Sequence, residues 1–200
     1  MAIGTEQHPL QPFLPDGGRI LFLGSFPPPR ERWSMDFFYP NWINDFWRIM
    51  GLTHFDDKAY FENSDGGKRF NKEKIIEFAN ATGLAFYDTA TVVRRLRGNA
   101  SDEFLEIVQP TDIETLLQQM PLCHDIVTTG GKASEILQTL LTDAAGVAVP
   151  QPKIGENTVL HAYGRTLRWW RMPSSSRAYP LKIEKKAECY KKVFLSTQIS

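Results

Sequence analysis

Cysteine is scarce in this chain: its 200 residues hold two, Cys123 and Cys189. Two isolated thiols exclude a cysteine-based zinc site and a disulfide framework, and their apolar surroundings predict reduced, buried side chains. The expected compartment is the cytoplasm. Long apolar runs are missing as well. No stretch approaches the ~18 residues needed to cross a bilayer, and the first twenty residues have no basic start leading into an apolar core. Neither membrane insertion nor export is expected. Net charge is also lacking, because 23 Lys and Arg balance 23 Asp and Glu, so composition by itself gives no sign of a polyanion partner. The four histidines form no pair at metal-ligand spacing; no metal and no cofactor are expected. Internal repeats and low-complexity tracts are absent from the sequence.

What remains is a chain with 42% hydrophobic and 23% charged residues, enough to bury a core as one domain over residues 1–200. From His161 onward, nine Lys or Arg stand against Glu184 and Glu188, which either builds a positive patch or solvates the outer face of a final helix. Four strand-like runs, at 19–24, 83–88, 125–129 and 166–172, alternate with segments of helical spacing at 44–51, 71–81, 111–120, 132–141 and 180–195. Thr111, with Glu114 three residues on, predicts a capping box. Such alternation predicts an α/β fold whose central, mainly parallel four-stranded sheet is covered by helices on both faces. Gly164 marks a turn through which the last strand enters as a hairpin, and residues 143–157 read as a surface loop.

Loops after the strands gather at the sheet's carboxyl edge, where ligands of open α/β sheets bind. One of these loops is unusually rich in rings. The strand Ile20-Leu21-Phe22-Leu23 runs into Gly24-Ser25-Phe26-Pro27-Pro28 and then into Phe37-Phe38-Tyr39-Pro40-Asn41-Trp42-Ile43-Asn44-Asp45-Phe46-Trp47. Aromatic side chains at this edge predict a slot for a flat ligand such as a nucleobase. The later Ser174-Ser175-Ser176 run lacks the strand-turn-helix setting of a serine hydrolase nucleophile.

These blocks, with Gly83-Leu84-Ala85-Phe86-Tyr87-Asp88 and Met172-Pro173-Ser174-Ser175-Ser176, resemble in order and spacing the uracil-DNA glycosylase superfamily over about residues 19–196. Within it the chain is most similar to the mismatch-specific uracil and hypoxanthine-DNA glycosylase branch. Tyr39 stands where that branch has the His of a His-Pro pair, and two residues are inserted between Pro40 and Asn44. The resemblance implies a three-layer α/β/α sandwich that acts without a metal on DNA containing a damaged or mismatched base, and a monomer is expected. An extruded base would be held against Gly24, Ser25, Phe26 and Tyr39 and stacked on Phe37 or Phe38, with Phe38 preferred; the alternative is that both phenyl rings fill the core.

Two family groups are replaced. Phe26 occupies the place of the Asp or Asn that handles the attacking water in several branches, and Met172 that of the second-motif histidine. The hypoxanthine branch implicates the Asn of Asn-x-Phe-Trp, which is Asn44 here, and Asp45 beside it is an ionisable competitor. An Asn amide can hold water without ionising it, although Asn ahead of a helical pattern is also a common cap. Asp88 lies where the family's uracil enzymes carry a base-reading Asn; ionised it would only accept hydrogen bonds, desolvation in a closed pocket would restore a donor, and the alternative is a carboxylate that holds Thr89, Thr91 or a nearby loop amide. Ser174, Ser175, Ser176 and Arg177 would grip the backbone or fill the hole left by the base, and Lys132 after Gly130-Gly131 would add a phosphate contact. Arg94, Arg95 and Arg97 offer electrostatic attraction or a solvated loop. Two other readings stay open, a catalytically silent nucleic-acid or nucleotide-binding homologue and a free-nucleoside hydrolase.

Overall fold

Residues 20–24 are buried at all five positions, which requires a strand covered on both faces. The computed structural model describes residues 4–96 and 104–197. Along the chain the elements are β1 (Glu6–Gln7), β2 (Ile20–Gly24), α1 (Phe46–Phe55), α2 (Lys72–Thr82), β3 (Leu84–Asp88), β4 (Ala90–Arg95), β5 (Leu105–Pro110), α3 (Ile113–Gln118), β6 (Asp125–Thr129), α4 (Gly131–Ala145), β7 (Glu156–Ala162), β8 (Arg165–Met172) and α5 (Ile183–Thr197).

The main sheet has the order β3-β2-β6-β8-β7. The four predicted strands β3, β2, β6 and β8 are parallel, but the sheet is five-stranded and mixed because β7 adds antiparallel to β8. That corrects the four-stranded expectation. Polar Glu156, Asn157 and Thr158 open β7, and its positions stay largely solvent-facing, as suits an edge strand with no apolar run to announce it. Its hairpin turns on Tyr163 and Gly164, both at positive φ (51° and 71°), the conformation a two-residue hairpin of matching twist requires.

Side-chain direction alternates along each strand, so Phe22, Phe86 and Trp170 share one face. Phe22 packs there on Phe46 of α1 and on Tyr190 and Phe194 of α5, while α1 and α5 pack against each other. On the opposite face the Thr128 hydroxyl meets Ser134 of α4 at 2.9 Å. Helices therefore cover both faces. A second sheet, β1-β4-β5, is antiparallel and was not foreseen: β1 has two residues, and β4 ends in arginines that read as loop. Arg94 pairs with Glu106 across β4 and β5, and buried Arg95 reaches Glu6; Arg97 lies outside the described residues.

Helix ends follow local chemistry. Asn71 caps α2 by accepting from the Lys74 amide at 2.9 Å, and Gly83 ends it in the left-handed region. For α3 the cap is Asp112, which accepts from the Thr115 amide; Thr111 instead donates its hydroxyl to the Asp88 carbonyl, so the cap falls one residue later than predicted and the Thr111–Glu114 capping box does not form. Cys123 is buried as expected, whereas Cys189 is half-buried. No described helix is long and apolar enough to cross a membrane.

His54, near the end of α1, lies edge-on to Phe194 and Phe78 with a buried Nε2 that has no partner among the described residues. Burial, reinforced by the charge of Lys191, pushes its pKa down to about 4. The folded state thus holds neutral His54, and the unfolded chain binds the extra proton between about pH 4 and the unperturbed value near 6.5. Stability should fall as pH drops through that window. Urea midpoints of the parent and His54→Leu between pH 4 and 7 should show a shallower acid limb in the variant; parallel curves would contradict this account.

Candidate functional site

The carboxyl ends of the parallel strands open onto a cleft of about 340 Å³, within the usual size range for small-ligand pockets of ~300–1,000 Å³. Its floor follows from sheet register. Gly24 of β2 is paired with Asp88 of β3 at the last rung, so both face the same side. A Cβ on Gly24 would collide with Asp88 Oδ1, and glycine is what gives the carboxylate its place over the strand end. The other oxygen, Oδ2, lies 2.8 Å from Nε2 of His8.

His8 was missed by sequence reasoning. It follows β1, its amide donates to the Thr91 carbonyl of β4 at 2.8 Å, and its ring is enclosed by Phe26, Phe38 and Tyr87. Leu10 and Thr129 also line the cleft without having been singled out. The signal was too slight: two polar residues form β1, and a lone His carries no spacing information.

Tyr39 forms part of the wall. It adopts a positive φ of 52°, and its ring stacks on Phe46 at 3.7 Å while its hydroxyl lies 2.8 Å from Thr129 Oγ1. Burial, against the hydrogen bond to Thr129 and with added repulsion from Asp88, holds the phenol far above its usual range. Tyr39 is therefore a neutral group. Phe38 lines the cleft, backed by Phe86 in a stacked arrangement. Phe37 instead lies in the core against Phe13, Trp47 and Phe86.

The opposite wall joins two distant segments. Asn44 forms an isolated antiparallel bridge with Ser176, and the Asp45 amide donates to the Ser175 carbonyl at 2.9 Å. Arg177 Nε lies 2.8 Å from Asp45 Oδ1. Beneath them, buried Lys186 donates to the Ser176 carbonyl at 2.7 Å, and Tyr190 donates to the Pro173 carbonyl at 2.9 Å. Burial pulls the Lys186 pKa down, with Asp45 opposing it. Asn44 faces the cleft while its Oδ1 accepts from the Phe46 amide at 2.9 Å, so one lone pair of that oxygen is used in starting α1. The amide NH₂ has no partner among the described residues.

Of the predicted residues, Gly24, Ser25, Phe26, Phe38, Tyr39, Asn44, Asp88, Ser174, Ser175, Ser176 and Arg177 come together around one cleft. Phe37, Asp45 and Lys132 do not line it. The carboxyl-terminal positive patch is largely spent within the protein: Arg168 binds Asp125, Lys185 pairs with Glu188, and Arg165 donates to the carbonyls of Met120 and Leu117. No group of three potential metal ligands is found among the described residues.

A solved structure shares this architecture. It is the solution NMR structure of a "putative Uracil DNA glycosylase" from Methanosarcina acetivorans, with a TM-score of 0.60, 20% identity, and alignment over 92% of this chain and 93% of that one. The likeness is one of fold. No protein-family model and no curated protein sequence matches the chain.

Removing the Asp45 carboxylate should loosen the wall. For Asp45→Ala we expect a loss of about 1–2 kcal/mol in urea unfolding, since Arg177 is half-exposed, and roughly tenfold faster amide exchange over residues 173–179. Unchanged exchange would show that the remaining ties suffice.

Proposed function

We propose that the protein is a monomeric DNA glycosylase of base-excision repair, which takes a deaminated base, uracil or hypoxanthine, from DNA into this cleft and hydrolyses its N-glycosidic bond. One observation carries the reading: Asn44 and Asp88, from opposite walls, face a single cleft that Phe38 also lines. A base removed from its stack needs an apolar surface to replace its neighbours, at a cost of a few kcal/mol, and Phe38 supplies one. Asp88 meets the base edge. The fold shared with the archaeal structure supports the same class of reaction.

No general base is required in the first step. Glycosidic cleavage passes through a state of oxocarbenium character, in which the bond to the base breaks ahead of attack by water. Asn44 is too weak a base to ionise that water, but the second lone pair of its Oδ1 can hold one in place, and its amide NH₂ can donate. The hydrogen bond to Phe46 fixes the side chain in that orientation. Asp45, engaged by Arg177, acts as the tie that keeps Asn44 and the serine loop in register. The serine hydroxyls and the exposed part of Arg177 lie at the rim, where a DNA backbone would pass.

The test uses oligonucleotides with a single uracil, hypoxanthine, xanthine or G:T mismatch, followed by alkaline cleavage of abasic sites. Strand scission at uracil or hypoxanthine is expected, with Asn44→Ala lowering the single-turnover rate by roughly 10²-fold. Thermal unfolding of Asn44→Ala separates loss of water placement from loss of the helix start, since a lower rate with an unchanged midpoint marks the former. No product with any lesion would reject the enzyme, leaving salt-sensitive DNA binding as the mark of a silent homologue.

A further inference from the structure

We infer that Ile43 is the side chain that enters a DNA stack and fills the place a base leaves on passing into the cleft, so that the substrate is a duplex rather than a single strand or a free nucleoside. This rests on the glycosylase reading and deepens it. A lone apolar residue on a surface is ordinary and by itself says nothing. Ile43 differs in where it stands and in how it is held. Of the large hydrophobic side chains exposed among the described residues, only Ile43, 54% exposed, lines the cleft. Water on one side and the cleft on the other put it on the rim.

The turn that carries it is fixed from several directions. Asn41 Oδ1 accepts from the Ile43 amide at 3.1 Å, and the Asn41 carbonyl accepts from the Asn44 amide at 2.8 Å. Arg48 donates to the carbonyls of Trp42 and Asn44 while its guanidinium lies over the Trp42 ring at 4.3 Å, and that ring packs on Phe70. Ahead of the turn, Asn41 bridges to Trp33, and Ser34 donates to the Pro40 carbonyl through both its amide and its hydroxyl. Trp42 thus packs inward and Ile43 is left outward on a rigid base. A β-branched side chain on such a base has little freedom to lose when it is buried by a partner.

The chemistry of an emptied stack asks for this kind of group. A base that leaves its helix strips a stacking surface from both neighbours, and an apolar wedge such as Ile restores one. Chain order agrees. The extruded nucleotide stays joined to its strand, so the group that fills its hole must lie beside the group that acts at its sugar, and Asn44 follows Ile43 directly into the same cleft. Arg177, the sequence-based choice for filling the hole, is otherwise engaged: its Nε lies 2.8 Å from Asp45 Oδ1, and reaching into a stack would break that pair. Its exposed part suits a phosphate instead. Arg32, exposed on the same rim with a side chain that has no partner among the described residues, suits another. An apolar projection on a rim that also carries two cations matches a duplex; a free nucleoside would leave Ile43 in water.

The experiment measures binding by fluorescence anisotropy, at fixed ionic strength, to a duplex carrying one tetrahydrofuran abasic analogue, to the intact duplex of the same sequence, and to the analogue-bearing single strand. The analogue cannot be hydrolysed and presents the hole ready-made. The parent should bind the abasic duplex at least about tenfold more tightly than the intact one, the scale of burying part of an aliphatic side chain. Ile43→Ala should narrow that preference to within about threefold and change single-strand affinity by less than about twofold, with an unaltered thermal midpoint; Ile43→Leu should keep the preference. Arg177→Ala should weaken binding to both duplexes alike. Equal preference in the parent and Ile43→Ala overturns the inference, as do its absence in the parent, its loss in Arg177→Ala alone, or a lowered midpoint for Ile43→Ala, which would mark a structural role. Ile43-dependent binding of the abasic duplex without strand scission at any lesion would sink the glycosylase reading and leave this one standing; scission in duplex DNA with abasic binding indifferent to Ile43 would do the reverse.

Discussion

The cleft depends on the tie between the residues that begin α1 and the loop that follows β8. Arg177 and Asp45, 132 positions apart in sequence, meet across it, and the Asp45 amide and the bridge from Asn44 to Ser176 add backbone pairing. Buried polar groups in such a place are costly unless satisfied, and here they satisfy one another: Lys186 takes the Ser176 carbonyl, Tyr190 takes the Pro173 carbonyl, and Arg48 takes the carbonyls of Trp42 and Asn44 while pairing with Glu62. A surface loop thereby gains the rigidity of the helices beneath it. That rigidity is what lets an amide side chain hold a fixed direction into the cleft.

The opposite wall is fixed by a different constraint, the register of parallel strands. Gly24 and Asp88 are paired at the last rung before both strands leave the sheet. One residue of slip would send the Asp88 side chain to the other face. The hydrophobic run that buries β2 completely is thus also what aims a carboxylate at the ligand. The ring contacts of Phe22 and Phe86, a pair two positions earlier in the same register, hold that alignment from below.

Legibility in the sequence divides along the same physical lines. The parallel strands and the helices between them were readable because their apolar residues recur at fixed spacing; Gly24, Asn44, Asp88 and the serine loop were readable because each sits where such an element begins or ends, and Phe38 because it belongs to a ring-rich loop. β1, β4 and β5 were not, since two polar residues carry no period and the arginines of β4 look like loop until Glu6 and Glu106 are seen to pair with them. Nor does adjacency in sequence tell neighbours apart: Phe37 and Phe38 differ by one position, yet one lies in the core and the other lines the cleft. Asn44 and Asp45 divide similarly, one into the cleft and the other into the tie beside it.

Phe26 and His8 belong to one arrangement. Phe26 sets its ring edge-on to His8 at 5.3 Å and lies beneath the Arg95 guanidinium at 5.5 Å, at the place where the sequence resemblance leads one to expect a polar residue. An acid there would set a second carboxylate near Asp88 and expose the imidazole that Phe26 covers. With phenylalanine in place, the cleft keeps one carboxylate, held on one side by a shielded imidazole. The ring that replaces a polar group is, in this packing, what shields the imidazole on which the remaining acid rests.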